Sequence, residues 1–294
     1  MSILLNKETK VICQGITGKA GSYYTKDCLD FGTHFVGGVN PKKAGSSIFS
    51  IPIFSSAKEA KKETDCNTSL LFVPAPFAKD AILDAIEAEL DLIVAITEGI
   101  PIHDMVEIKA ALKGSSTRLI GPNCPGLIAP SQNCKVGIMP SHIHRKGNIG
   151  IISRSGTLLF EAALQVSKAG LGQSTCVGIG GDPIQGSSFI DMLELFEKDE
   201  ETEAILLVGE IGGSSEEQAA AWIAQNSSKP IFAYIAGKHA PKGRRMGHAG
   251  AMISKNNTGL ASTKIEALKK SGATLIEDPG LIGKTISQFF SKDL

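Results

Sequence analysis

The stretch Lys10–Gly21, KVICQGITGKAG, decides how the first half of the chain is read. Its opening, KVICQG, is a short run of β-forming residues. Glycines then fall at 15, 18 and 21, and an amphipathic helical pattern covers Lys19–Phe31. A strand that ends in a glycine turn and opens a helix is the first unit of an α/β fold. Glycines at such a turn let backbone N–H groups approach a phosphate at the helix N-terminus. The spacing is G-x-x-G-x-x-G, which differs from the usual dinucleotide G-x-G-x-x-G, and the sequence contains no Walker G-x-x-x-x-G-K-[ST] loop. The alternative is a tight turn with no ligand.

The alternation continues downstream. Strands are expected at His34–Val39, Ser69–Val73, Leu92–Thr97 and Arg118–Gly121, with helices at Phe77–Leu90 and Asp104–Lys113. Apolar runs of strand length between helices signal a mostly parallel sheet covered on both faces. The segment Gly121–Gly147 breaks the rhythm with Pro, Gly, Asn and Ser. A second series follows, with strands at Asn148–Ser153, Ser174–Ile179, Ala204–Val208, Pro230–Ile235 and Ala273–Ile276. Its helices are expected at Leu158–Lys168, Ser187–Lys198, Glu216–Gln225 and Thr263–Lys270. The expectation is two doubly wound α/β domains, residues 1–125 and 148–294, joined by a linker segment at 126–147.

Composition narrows the function. Thirty basic and thirty acidic side chains balance, which argues against broad binding to nucleic acid while leaving room for small basic pockets. No apolar run approaches the roughly 20 residues that span a bilayer, and Met1–Lys7 lacks a signal-peptide pattern. The six cysteines, at 13, 28, 66, 124, 134 and 176, form no C-x-x-C pair and no zinc pattern. Reduced thiols in a cytoplasm-like compartment, and no metal site, are the expectation.

Several strand ends carry chemistry. The second strand runs into Val39-Asn40-Pro41-Lys42-Lys43, with lysines where an NAD site has an acidic residue. Coenzyme A and NADP, which carry an extra ribose phosphate, both suit that position. Val73-Pro74-Ala75-Pro76 and Ile96-Thr97-Glu98-Gly99 end neighbouring strands and are placed to line the same crevice, or are plain turns. Cys124 sits in the rigid loop GPNCPG, either as a nucleophile or as a packed thiol. In the second half, Ser153-Arg154-Ser155-Gly156-Thr157 opens a helix, as an anion site or as an ordinary N-cap. Glu210 emerges between glycines at a strand end, able to orient an imidazole or to stand as a surface carboxylate.

His248 lies in Arg244-Arg245-Met246-Gly247-His248-Ala249-Gly250-Ala251, where small residues leave an imidazole open and two arginines favour an anionic visitor. Neutral imidazole is abundant near pH 7 and can accept a phosphoryl group. A carboxylate on one ring nitrogen leaves the other free as the nucleophile.

Taken in order, CQGITGKAG, VPAPF, ITEGIP, GPNCPG, SRSGT, GIGGDPI, GEIGG and GHAGA resemble the α subunits of succinyl-CoA synthetases (succinate–CoA ligases) over essentially the whole chain. The resemblance implies an N-terminal Rossmann-like CoA-binding domain, then a flavodoxin-like ligase domain carrying a histidine that is transiently phosphorylated. By matched motif that histidine is His248 and its positioning carboxylate is Glu210. Thr17, Gly18, Lys19, Ala20, Lys43, Ile96, Thr97 and Glu98 match CoA contacts, and Ser155, Gly156 and Thr157 match a phosphate-binding helix start. Phe160 stands in the substrate region where many members have tyrosine, keeping the ring without the hydroxyl. The loop at Lys19-Ala20 also varies from common members.

The implied reaction is reversible. Succinyl-CoA and phosphate give succinyl phosphate and CoA; His248 takes the phosphoryl group and releases succinate; a nucleoside diphosphate accepts it to form ATP or GTP, with magnesium. The nucleotide site is expected on an ATP-grasp β subunit. Malate–CoA ligase and the homologous part of ATP-citrate lyase share the motifs. Outside that class stand an NAD(P) oxidoreductase and a non-catalytic CoA sensor.

Overall fold

The computed structural model describes residues 2–291; Met1 and the last three residues of the expected second domain, 292–294, lie outside it. The elements of the first half are β1 (Lys10–Gln14), α1 (Lys19–Phe31), β2 (His34–Val39), β3 (Ser47–Ile48), β4 (Ile51–Phe54), α2 (Ala57–Thr64), β5 (Thr68–Leu71), α3 (Ala75–Glu87), β6 (Leu92–Ala95), α4 (Ile102–Leu112) and β7 (Arg118–Ile120). The strands form one sheet in the order β3-β4-β2-β1-β5-β6-β7. Only β3 runs antiparallel, against β4. Without it, the six parallel strands have the 3-2-1-4-5-6 order of a Rossmann fold. β5 and β6 are buried at every position, which is why they read as unbroken apolar runs.

The second half contributes β8 (Gly126–Ala129), β9 (Cys134–Gly137), β10 (Lys146–Ser153), α5 (Gly156–Lys168), β11 (Gln173–Gly178), α6 (Phe189–Lys198), β12 (Ala204–Glu210), α7 (Ser215–Asn226), β13 (Ile231–Ala236), α8 (Ala261–Lys270), β14 (Thr274–Leu275) and α9 (Ile282–Phe290). The second sheet runs β14-β13-β12-β10-β11-β8-β9. Its five parallel strands have the 2-1-3-4-5 order of a flavodoxin-like fold.

The stretch expected as a linker, 126–147, is built differently. β8 and β9 form an antiparallel hairpin, and β8 pairs antiparallel with β11, so the segment closes one edge of the second sheet. Its pattern misleads because the strands are short and separated by a turn rich in proline and polar residues. The hairpin is also bolted to α1. Thr33 Oγ1 exchanges two hydrogen bonds with the Lys135 backbone, at 2.7 and 2.9 Å. The fully buried Lys135 ammonium reaches Asp27 of α1, the Met139 carbonyl at 3.1 Å and Ser141 Oγ at 2.8 Å. One apolar cluster, including Cys13, Cys28, Leu127, Cys134 and Ile152, runs from one sheet to the other. All six cysteines are free and buried, and no described helix is long and apolar enough to cross a membrane.

Candidate active site

Both sheets present loops at their switch points, where a parallel sheet leaves a crevice at its C-terminal edge. In the first sheet the switch lies between β1 and β5. A cleft of about 600 Å³ opens there, lined among others by Gly15, Asn40, Lys42, Val73, Pro74 and Phe77. The glycine spacing has a steric cause. A Cβ at Gly21 would stand 2.2 Å from the Gly15 carbonyl oxygen, so the first turn of α1 folds back against the loop that enters it. Thr17 is fixed by a 2.6 Å hydrogen bond from Asn40 Nδ2, while Gly18, Lys19 and Ala20 stay exposed at the helix start. Lys42 lines the cleft, whereas Lys43 is exposed beside it and outside the lining. Thr97 Oγ1 donates to the Val73 carbonyl at 2.6 Å, which ties together the two neighbouring loops.

In the second sheet the switch lies between β10 and β12. Glu210 is the last residue of β12, a strand buried throughout, and is itself 6% exposed. Both its carboxylate oxygens face His248 Nδ1, at 2.9 and 2.8 Å. An ionised carboxylate has no proton to give, so Nδ1 carries the hydrogen and Nε2 keeps its lone pair. Among the described residues no hydrogen bond reaches Nε2, and the side chain is 25% exposed. The Glu210 carboxylate holds the His248 pKa above its ordinary value, against partial desolvation and the Arg154 guanidinium. The ring packs against the loop after β11: a Cβ at Gly181 would stand 2.4 Å from His248 Cγ.

The loop GPNCPG joins the two crevices. Asn123 N donates to the Thr97 carbonyl at 2.9 Å, Gly181 N donates to the Asn123 carbonyl at 3.1 Å, and Asn123 Nδ2 donates to Asp182 at 3.0 Å. Glu98, from the first sheet, therefore shares an electrostatic environment with Asp182 and His248 of the second. Burial pushes the Asp182 carboxyl up, and Glu98 adds to it. Cys124 is a packed thiol. It is 4% exposed, bonded to the Ala95 carbonyl at 3.3 Å, and pushed by burial up to about 12. Among the described residues no histidine bonds to it.

Ser155 caps α5 through its side chain, which accepts from Leu158 N at 3.4 Å, while Thr157 is exposed. Phe160 is half-buried one turn further along α5, packed against a core cluster of the second sheet. Arg244 and Arg245 are exposed upstream of His248, and Arg245 faces Asp182 electrostatically. A separate cleft of about 660 Å³ at the ends of β13 and β14 takes in Met246, Lys238 and Lys269 but not His248. Sequence reasoning singled out neither Asn123 nor Asp182, although both lie in quoted motifs. It also missed Glu216 and Lys264, whose buried charges lie behind Glu210. An acidic residue in the first turn of a helix normally reads as a solvated one, and nothing in KIEALKK marks a buried lysine.

A Rossmann-order domain with an anion-ready helix start, followed by a flavodoxin-order domain with a glutamate-held histidine, defines the class of two-domain CoA ligases. The family described as CoA binding domain matches residues 6–99, and the one described as CoA-ligase matches 152–274. The chain is 56% identical over 290 residues to the "Succinate--CoA ligase [ADP-forming] subunit alpha" of Aquifex aeolicus, covering 98% of this chain and 94% of that protein. It is 50% identical over 286 residues to the protein of the same name in Staphylococcus epidermidis, covering 97% and 94%. The chain belongs to the succinate–CoA ligase α-subunit family.

Among solved structures, ATP citrate lyase from Methanothrix soehngenii in complex with citrate and coenzyme A superposes with a TM-score of 0.88 at 22% identity. That match covers 99% of this chain and 51% of the other. The dinucleotide-forming acetyl-coenzyme A synthetase 1 of Ca. Korarchaeum cryptofilum gives 0.74 at 20% identity, over 94% and 59%. The chain thus spans about half the length of these larger proteins, and the likeness is one of fold.

Proposed function

We propose that this chain is the α subunit of a succinate–CoA ligase and carries the phosphoryl group on His248. The observation that bears most weight is the double contact of Glu210 with His248 Nδ1, which leaves Nε2 as a nucleophile at the end of a parallel sheet. In the direction of nucleotide synthesis, phosphate attacks the thioester carbonyl of succinyl-CoA and the CoA thiolate leaves. His248 Nε2 then attacks the phosphorus of succinyl phosphate and succinate departs. The phosphoryl group passes from Nε2 to a nucleoside diphosphate, which restores the imidazole. Magnesium accompanies the nucleotide.

The chain's own residues divide the work. Thr17, Gly18, Lys19 and Ala20, with Lys43 and the backbone of Ile96, Thr97 and Glu98, hold CoA along the first cleft. Lys42 is a further phosphate contact, since it lines that cleft. The asymmetric start of α5, at Ser155, Gly156 and Thr157, supplies donors for the phosphoryl oxygens. Phe160 gives the substrate region an apolar ring. The partner is a β subunit of the ATP-grasp type, which supplies the nucleotide site, and the compartment is the cytoplasm. The first domain takes residues 1–125, and the hairpin after it goes with the ligase domain.

The test is direct. The α chain co-purified with its β subunit is incubated with labelled ATP and magnesium. The label should appear on this chain, stable in base and lost in acid, and should disappear in His248→Asn. A label that persists in that variant overturns the assignment.

A further inference from the structure

Glu210 and His248 rest on a buried charge cluster that the phosphoryl chemistry above does not use. Glu216, in the first turn of α7, and Lys264, of α8, are fully buried, and Arg154, directly after β10, is 4% exposed. One Glu216 oxygen accepts from Arg154 Nη1 at 3.3 Å and from the backbone N–H of Glu210 at 3.1 Å. The other accepts from Lys264 Nζ. Arg154 Nη1 and Lys264 Nζ also donate to the Gly212 carbonyl, at 3.1 and 2.6 Å. Space for this is made on β12, where a Cβ at Gly209 would stand 2.7 Å from Glu216 Cγ.

Arg154 Nε is the telling atom. It lies 3.6 Å from Glu210 Oε1, beyond hydrogen-bond range, and among the described residues it has no acceptor although it is buried. A guanidinium beside a carboxylate ordinarily closes into a direct, often two-pronged pair. Here the same side chain is held at Nη1 by Glu216 and Gly212, which stops it short of Glu210.

We propose that Glu216 is a positioning residue: by holding Arg154 back and pinning the Glu210 peptide, it reserves the Glu210 carboxylate for His248. Without the Glu216 charge, Arg154 closes on Glu210, and Nδ1 must share its acceptor with a guanidinium. Arg154 and Lys264 stand against Glu210, Glu216 and the half-buried Glu217, which lies 3.9 Å from Lys264 Nζ, so loss of the Glu216 carboxylate removes a negative charge from behind the imidazole. The other groups facing His248 are Glu98 and Asp182, the latter also facing Arg245, and the substitution leaves them in place. The inference rests on the phosphohistidine reading.

The test is Glu216→Gln in the complete αβ enzyme. Labelling of His248 from Mg-ATP should slow about 10- to 100-fold, the scale of one weakened charge-assisted hydrogen bond. Its pH midpoint should move down, while CoA affinity stays unchanged. Because a lone buried change can cost stability, the double variant Glu216→Met/Lys264→Met replaces the pair by packed apolar side chains. It should fold and still label slowly, since Arg154 is again free to close on Glu210. A folded variant of either kind with the parent's rate and pH midpoint overturns the proposal. The His248 imidazole pKa, read by nitrogen NMR in parent and variants, should fall with loss of Glu216 and overturns the proposal if it does not. That reading needs no phosphorylation, so a parent enzyme that takes no label would sink the phosphohistidine assignment separately.

Discussion

Replacing Glu210 by glutamine keeps the shape of the side chain and removes its charge. In the native site two oxygens face His248 Nδ1 at 2.9 and 2.8 Å. A hydrogen bond to a charged group is worth about 1.5–3 kcal/mol net, and the carboxamide forfeits much of that. It also offers an –NH₂ where the carboxylate had only acceptors. When that group turns to the ring, Nδ1 becomes the acceptor and the proton moves to Nε2, the nitrogen that must attack. The two losses together raise the barrier by about 3–5 kcal/mol, or roughly 10²- to 10⁴-fold in rate. The assay is the initial rate of acid-labile label incorporation from Mg-ATP into the αβ enzyme, measured across pH. On the proposed mechanism neutral imidazole is the nucleophile, and because Glu210 raises the His248 pKa, the native rate should rise with pH through a midpoint above the ordinary value of 6.5. In Glu210→Gln the rate falls while the midpoint also falls, because the carboxylate that favours the charged ring is gone. Stability follows the same sign. A raised folded-state pKa contributes stabilisation that is full below the ordinary value and lost as pH rises through the raised one. The variant's deficit is therefore largest in mildly acidic buffer, where His248 carries its proton. An unchanged rate, or a midpoint that stays where it was, would refute the assigned role.

Gly181→Ala places a Cβ 2.4 Å from His248 Cγ; displacing the ring from Glu210 should slow labelling about 10²-fold while calorimetry finds CoA binding unaltered, and a parallel loss of CoA binding would contradict it. Gly21→Ala sets a Cβ 2.2 Å from the Gly15 carbonyl oxygen. It should cost about 1–3 kcal/mol of stability and weaken CoA binding, measured by denaturant unfolding and calorimetry; a neutral substitution would remove the steric reason for the spacing. Cys124, pushed up to about 12, should be alkylated by iodoacetamide at pH 8 at least about 10³-fold more slowly than a free thiol. Rapid modification found by peptide mass mapping would reopen its candidacy as a nucleophile.

Much of the architecture was legible because central parallel strands are apolar on both faces. α1 and β2 lie where the sequence puts them, at Lys19–Phe31 and His34–Val39. The elements missed are α2, a short lysine-rich run that buries only Ala57 and Ala60, and elements of three further kinds. β3 and β4 are too short to show a period. β8 and β9 are fully buried yet built from segments such as CKVG that carry a charge into the interior, where Asp27 meets it. α9 has a strong apolar face but follows Pro279 and Gly280, which read as loop. At the site, His248 and Glu210 stood out because glycines surround them. Asp182, Asn123, Glu216 and Lys264 did not, because their roles come from contacts across 48 to 62 positions of the chain. Spacing within a motif carries no trace of such partners.

The connection between the two crevices constrains the chemistry further. α1 begins at the exposed Gly18–Ala20 turn, and its Asp27 and the adjoining Thr33 are fastened to β9. β9 pairs with β8, and β8 starts where GPNCPG ends. That loop in turn hydrogen-bonds to Thr97 on one side and to Gly181 and Asp182 on the other. Parting the halves would strip the fully buried Lys135 ammonium of its Asp27 partner and would also open the shared apolar cluster. On the proposed mechanism His248 meets succinyl phosphate rather than the thioester, and relative motion of the two sheets is a costly way to bring that intermediate to it. A less costly way is for succinyl phosphate, formed at the acyl end of CoA, to lie beside Glu98 within reach of a fixed imidazole. On that mechanism a fixed distance between the site of thioester cleavage and Nε2 makes the encounter intramolecular, with Glu98 and Asn123 standing between the two crevices.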